Sequence, residues 1–150
     1  MKNKTGLFVV IGLVVIIIFS ALVSNLTGKE KEEVEFNDVS YEEYKALFEG
    51  ETLEFVYVGN EGCGYCQATV PLLGQLQEEE NVVFNYLDTY TMTEDDFADI
   101  ATTAEAFTGE WGTPTIIAIY DGEAIASISG YTEIENIRAF IENAVLTAGE

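Results

Sequence analysis

The sequence predicts an α/β domain behind a membrane-spanning anchor, and three observations carry that reading. Strand-like and helix-like apolar patterns alternate from Val34 onward. Ser40 with Glu43, Thr93 with Asp96 and Thr132 with Glu135 each set a capping residue three positions ahead of an acid, which marks helix starts. Gly6 to Leu26 contains 21 residues and no charge. At about 1.5 Å per residue such a helix spans the roughly 30 Å hydrocarbon core of a bilayer.

The apolar run exceeds the roughly 7 to 15 residues of a signal-peptide core, which favours an uncleaved anchor. Ser20, Ala21 and Ser24 are the small residues that a cleavage site would need. No cysteine lies near the end of the run, so lipid attachment there is excluded. Lys2 and Lys4 precede the span and Lys29 and Lys31 follow it, a near tie under the positive-inside rule. A short tail inside and a large domain outside is the usual single-span arrangement, and an outward dithiol site would meet an oxidising compartment. The expected organisation is a cytoplasmic segment 1–5, an anchor 6–26, a polar linker 27–33 without apolar periodicity, and a domain over 34–150. Its 117 residues suffice for one compact core.

Within that domain a weak strand is expected near Val34 to Phe36, followed by a helix from Ser40. Leu53 to Val58 is apolar and β-rich and reads as the central strand, with Gly59-Asn60-Glu61-Gly62 as a loop after it. Beyond Cys63-Gly64-Tyr65-Cys66, apolar residues recur at helical spacing at Val70, Leu72, Leu73 and Leu76. A strand over Asn81 to Asp88 and a helix from Thr93 come next. Ile116 to Tyr120 and Glu123 to Ser129 read as a β-hairpin, because Asp121-Gly122 suits a two-residue type I′ turn. A helix from Thr132 completes the order.

Cys63 and Cys66 are the only cysteines. Where a strand passes through a loop into a helix, the unpaired N–H groups and the helix dipole favour a thiolate at Cys63, and the two-residue spacing lets Cys66 reach back to it. Reversible dithiol chemistry follows, with Cys63 as nucleophile and Cys66 as resolving partner. Other readings of the pair fit less well. A closed zinc site usually needs four Cys or His ligands, and the chain has no third cysteine and no histidine; only a dimer sharing two pairs, or carboxylates, would complete it. A static bridge across so short a loop removes little unfolded-state entropy. No metal and no cofactor is expected.

The domain resembles the thioredoxin superfamily. The resemblance runs through Phe55 to Val58, the Cys63-Gly64-Tyr65-Cys66 motif, and Pro71 at the place of the family's helix-kinking proline. It continues in Trp111-Gly112-Thr113-Pro114-Thr115, where the family carries a cis-proline facing its cysteines, and in the final hairpin and helix. It covers about Val34 to Ala148. It implies a thioredoxin-like fold with a central mixed β-sheet flanked by helices, thiol:disulfide exchange at Cys63 and Cys66, and substrate contacts at Gly64, Tyr65, Thr113 and Pro114. The sequence also departs from the family. Gly62 stands where thioredoxins usually have tryptophan, Tyr57 takes the place of their buried acid, and Phe84 or Asn85 that of their buried lysine. The usual proton relay is therefore missing, which leaves water, Tyr57 or a substrate group to move the proton. The Gly-Tyr dipeptide is similar to that of periplasmic disulfide isomerases and implies a less reducing protein than thioredoxin. Trp111 is read either as lining a peptide groove or as a packed surface aromatic. With its anchor and Gly-rich lead into the motif, the whole chain looks like the bacteriocin transport accessory proteins of Gram-positive bacteria.

Charge narrows the partners. The chain carries 27 acidic and 6 basic residues, a net charge of −21, and from Val34 on 24 acids face only Lys45 and Arg138. Phosphate and anionic headgroups are repelled by such a surface, so nucleic acid is excluded and the domain stands off the bilayer. The same field either attracts cationic peptides or serves solubility. Glu61, close before Cys63, disfavours a thiolate there. The expected protein is a membrane-tethered, outward-facing oxidoreductase acting on protein or peptide thiols and disulfides, served by a membrane redox partner that the sequence does not identify. The competing class is a binding module that assists peptide export without turnover.

Overall fold

The computed structural model describes residues 34–149; the expected segment 1–5, anchor 6–26 and linker 27–33 lie outside the described residues. Strands Asn37–Asp38 (β1), Glu54–Gly59 (β2), Phe84–Asp88 (β3), Thr115–Tyr120 (β4) and Glu123–Ser129 (β5) form one sheet in the order β1-β3-β2-β4-β5. β1, β3 and β2 run parallel, whereas β4 is antiparallel to both β2 and β5. Helices Tyr41–Leu47 (α1), Gly64–Glu80 (α2), Glu94–Thr108 (α3) and Ile134–Ala148 (α4) cover both faces.

The period of two along β2 divides the interior. Phe55 and Tyr57 join Cys66, Leu73 and Leu76 of α2 and Ile137, Ile141 and Ala144 of α4. Val56 and Val58 join Tyr44 of α1, Ile100 of α3, and Leu87, Ile117 and Ile119 of the neighbouring strands. Each fully buried aliphatic side chain contributes about 1.5–3 kcal/mol. Two-sided burial of this kind holds the C-terminal end of β2, from which the cysteine loop departs. Among the described residues, no helix is long and apolar enough to cross a membrane.

Two of the three expected capping boxes form. Ser40 and Glu43 open α1, and Thr93 and Asp96 open α3, each pair bonding reciprocally. The third does not: α4 starts from Glu133, which makes no side-chain cap, while the Thr132 hydroxyl accepts from Asn136 Nδ2 at 2.7 Å. The strand expected at Val34 to Phe36 is displaced to Asn37–Asp38. Glu35 and Phe36 are engaged elsewhere, the Glu35 carbonyl by Gln77 Nε2 at 3.1 Å and the Phe36 ring by Tyr57 and Tyr86. The strand expected from Asn81 begins only at Phe84, because Asn81 ends α2 in the left-handed region (φ 53°) and Gln77 Oε1 accepts the Phe84 N–H. Asp121 and Gly122 both have positive φ (49° and 80°), as a type I′ turn requires.

Candidate functional site

The site begins where β2 ends. Cys63 is the N-cap of α2, in extended conformation, and its Sγ accepts the Cys66 N–H at 3.1 Å. The sulfur thus occupies the position a serine or aspartate oxygen takes at other helix starts. Cys63 and Cys66 are joined as a disulfide, their Cα atoms 5.1 Å apart. Cys63 is half-buried and Cys66 only 2 % exposed, so an incoming sulfur reaches the first and not the second.

Tyr57 lies below the pair and donates its O–H to the Cys66 carbonyl at 3.1 Å. Burial, and then the nearby Tyr86, push the Tyr57 phenol well above the ordinary tyrosine range, so it stays protonated and acts as a donor rather than a base. No Asp, Glu or Lys is buried among the described residues. Phe84 packs on Phe55, and the Asn85 amide donates to Glu54 Oε2 (3.0 Å) and the Phe55 carbonyl (3.3 Å), so neither position offers a titratable group. Gly59 provides clearance: a Cβ there would lie 3.0 Å from Tyr57 Oη and 3.2 Å from Cys66 Sγ.

Across from the cysteines, the Thr113-Pro114 bond is cis. Thr113 Oγ1 lies 3.5 Å from Cys63 Sγ with its proton available to the sulfur, and the Thr113 carbonyl is 3.7 Å from the same atom. Pro114 is buried, and its carbonyl accepts the Gly130 N–H at 2.7 Å, which ties the end of β5 to the proline loop. The chain turns there through Gly130 at φ 83°, and Tyr131 then stacks on Tyr65 with ring centroids 6.1 Å apart. Gly64, in the open first turn of α2, has no atom within 4 Å of where its Cβ would be.

Of the six residues expected at the site, Cys63 meets Cys66 and Thr113 directly, Pro114 follows Thr113 through the cis bond, and Gly64 and Tyr65 lie between the cysteines in the first turn of α2. Trp111 is half-buried, packed edge-on against Phe97 at 5.1 Å and onto the core cluster that includes Tyr44 of α1 and Ile100 of α3. Glu61 is exposed, and its carbonyl accepts from Gln67 Nε2. Sequence reasoning missed Tyr90 and Tyr131. A Cβ on Gly62, which stands where thioredoxins usually have tryptophan, would collide with Tyr90 Oη, so the space left by that glycine is taken by Tyr90. Gly130 before Tyr131 was the available signal for the second, because a glycine leading out of a strand marks a sharp change of direction.

Solved structures share this architecture. Thioredoxin from Trypanosoma brucei brucei superposes with a TM-score of 0.58 at 16% identity, covering 79% of this chain and 97% of that one. The chain has the thioredoxin fold. Fasciola hepatica thioredoxin gives 0.58 at 20% identity over 73% of this chain and 99% of its own. The oxidised mitochondrial thioredoxin 3 of Saccharomyces cerevisiae gives 0.53 at 21% identity over 72% and 94%. No protein-family model matches the chain. At these identities the likeness is one of fold, and a thioredoxin fold hosts many functions, so the chemistry rests on the cysteines and their surroundings.

Proposed function

We propose that the protein is a thiol:disulfide oxidoreductase that works through Cys63 and Cys66. The observation that carries this reading is the pairing of a solvent-reachable sulfur at a helix N-terminus with a buried partner one turn inside, opposite the Thr113-Pro114 loop. In the reducing direction the Cys63 thiolate attacks one sulfur of a substrate disulfide. A Cys63–substrate bond forms, the substrate S–S bond breaks, and the other substrate sulfur leaves as a thiolate that takes a proton from water. Cys66 then loses its proton and attacks Cys63 Sγ. The intramolecular disulfide forms and the second substrate thiol is released, so two electrons have passed from the protein dithiol to the substrate. In the oxidising direction the same steps run in reverse.

Groups around the sulfur support the first step. When Cys63 is reduced, the Cys66 N–H and the Thr113 hydroxyl both point donors at its Sγ, and the α2 dipole adds to them. With Tyr57 held protonated, the Cys66 proton leaves to solvent or to the departing substrate thiolate rather than to a buried carboxylate. Gly64 and Tyr65 flank the attacked position and Thr113-Pro114 faces it, the placement of a substrate strand laid across the sulfur.

The uncharged run of residues 6–26 supports a membrane anchor, and the short basic head supports an outward-facing domain. The resemblance to bacteriocin transport accessory proteins supports a role in handling exported peptides. A second reading, a module that holds such peptides without turnover, is favoured by the exposed Tyr65–Tyr131 pair. The reduced Cys66→Ser variant separates the two: it should accumulate a mixed disulfide with substrate through Cys63, locatable by peptide mass mapping. Recovery of bound peptide with no covalent adduct would leave the holding module in place. Protease added to intact cells should reach the domain; cysteine labelling only after permeabilisation would reverse the orientation.

A further inference from the structure

Exposed tyrosines adjoin the cysteine motif. Tyr65, two positions after Cys63, is 68 % exposed, and Tyr131, carried to it by the Gly130–Pro114 bond, is 49 % exposed. The two rings stack on each other rather than on the core. Tyr90 is 65 % exposed, with its hydroxyl seated against Gly62, the residue before the motif. Paired, open π-faces beside a nucleophile present negative electrostatic potential to whatever docks there.

No cation of the domain fills that role. Arg138 is held by Glu79 at 2.6 Å, by Glu80, and by Glu135 at 3.4 Å. Lys45 lies with its Nζ 4.8 Å from the Tyr41 ring centroid, on α1. These are the only two basic residues from Val34 onward, against 24 acidic ones. Glu61 and Glu133, each two residues along the chain from Cys63 and Tyr131 respectively, are exposed and add to that negative charge. An approaching polypeptide therefore meets a field of one sign and an aromatic pair that favours the opposite sign.

We propose that the substrate is a basic polypeptide, in which Lys or Arg flanks the attacked cysteine and lies over the Tyr65–Tyr131 pair. The inference rests on the oxidoreductase reading and adds the substrate class to it. Long-range attraction raises the encounter rate and is removed by salt, whereas ring contact persists when salt has screened the field. The two contributions are separable.

The test uses the reduced full-length protein in detergent micelles and three disulfide peptides of one length, their cysteines flanked by Lys, Gln or Glu. Rates are normalised to those with dithiothreitol, which cancels the peptides' own reactivity. At low salt the Lys peptide should react at least roughly ten-fold faster than the Glu peptide. At about 1 M salt, where the Debye length is about 3 Å, a Lys-over-Gln preference of about two- to five-fold should remain. That residual preference should fall to one in the Tyr65→Leu/Tyr131→Leu variant, which keeps apolar bulk and loses the ring faces. Equal normalised rates for Lys and Glu peptides, with the Gln peptide turned over normally, would overturn the substrate class and leave the oxidoreductase standing. A residual preference that survives the double leucine variant would overturn the role of the tyrosine pair. Failure of all three peptides to exchange would remove the oxidoreductase reading and this inference with it.

Discussion

Replacing Thr113 by valine keeps the side chain's shape and β-branching and removes the one hydroxyl that faces Cys63 Sγ. In the reduced protein that hydroxyl donates to a thiolate, and a hydrogen bond to a charged acceptor contributes about 1.5–3 kcal/mol. The 3.5 Å O···S separation and the half-buried position of Cys63 place the effect at the lower end. A loss of about 1.4 kcal/mol lowers the thiolate population at neutral pH roughly ten-fold. The assay is alkylation of Cys63 with iodoacetamide across a pH series, in a Cys66→Ser background so that a single thiol reports. Thr113→Val should slow alkylation at neutral pH by about that factor and move the whole profile to higher pH. Thr113→Ser restores the donor and should restore the profile. Superposable profiles with and without the Thr113→Val substitution would refute the assignment of this hydroxyl to the sulfur, as would a shift that serine fails to reverse.

Gly59→Ala should destabilise the oxidised protein by about 1–3 kcal/mol, since its Cβ would press on both Tyr57 Oη and Cys66 Sγ in a packed interior; a urea midpoint equal to wild type would contradict that packing. Tyr57→Phe should cost about 1 kcal/mol at neutral pH through loss of the bond to the Cys66 carbonyl, read from the same denaturation curve. Alkaline pH provides a second readout. Tyr57 is held above its ordinary value of 10.0 and Tyr44 and Tyr86 are pushed up to about 12, in each case chiefly by burial. Below pH 10.0 both folded and unfolded phenols are protonated and the stability is complete. As pH rises above it only the unfolded phenols ionise, so stability falls. Tyr57→Phe should lessen that fall, and an unchanged alkaline limb would show that Tyr57 contributes nothing to it.

What the sequence made legible was local. Ser40 and Thr93 are followed by acids whose side chains reach back to the cap N–H, so the sequence pattern and the geometry are one interaction. Asp121-Gly122 and the Cys63 cap are of the same kind. Thr132 misled because the N-cap position of α4 falls one residue later, at Glu133, and the Thr132 hydroxyl accepts from the Asn136 amide instead. Val82 and Val83 read as strand, but Asn81 in its left-handed cap delays the ladder until Phe84. The candidate site was legible in its chemically distinctive members, Cys63, Cys66, Thr113 and Pro114. Its tertiary members were not: the approach of Tyr131 to Tyr65 depends on the Gly130–Pro114 bond, and the seat of Tyr90 depends on Gly62 meeting a 3-10 turn, Thr89–Thr91, that follows another strand. No local pattern encodes either meeting. That the central strand carries Tyr57 and no acid beyond Glu54 was visible, whereas the service of Tyr57 as a protonated donor to the Cys66 carbonyl needed the packing around it.

Turnover by Cys63→Ser, set beside wild type, tests the central claim most directly. Reduced full-length wild-type protein should cleave the disulfides of insulin and end with Cys63 and Cys66 joined, while Cys63→Ser should show no exchange above the uncatalysed rate. Insulin reduction by Cys63→Ser at the wild-type rate would contradict the oxidoreductase account, whatever the fold around it.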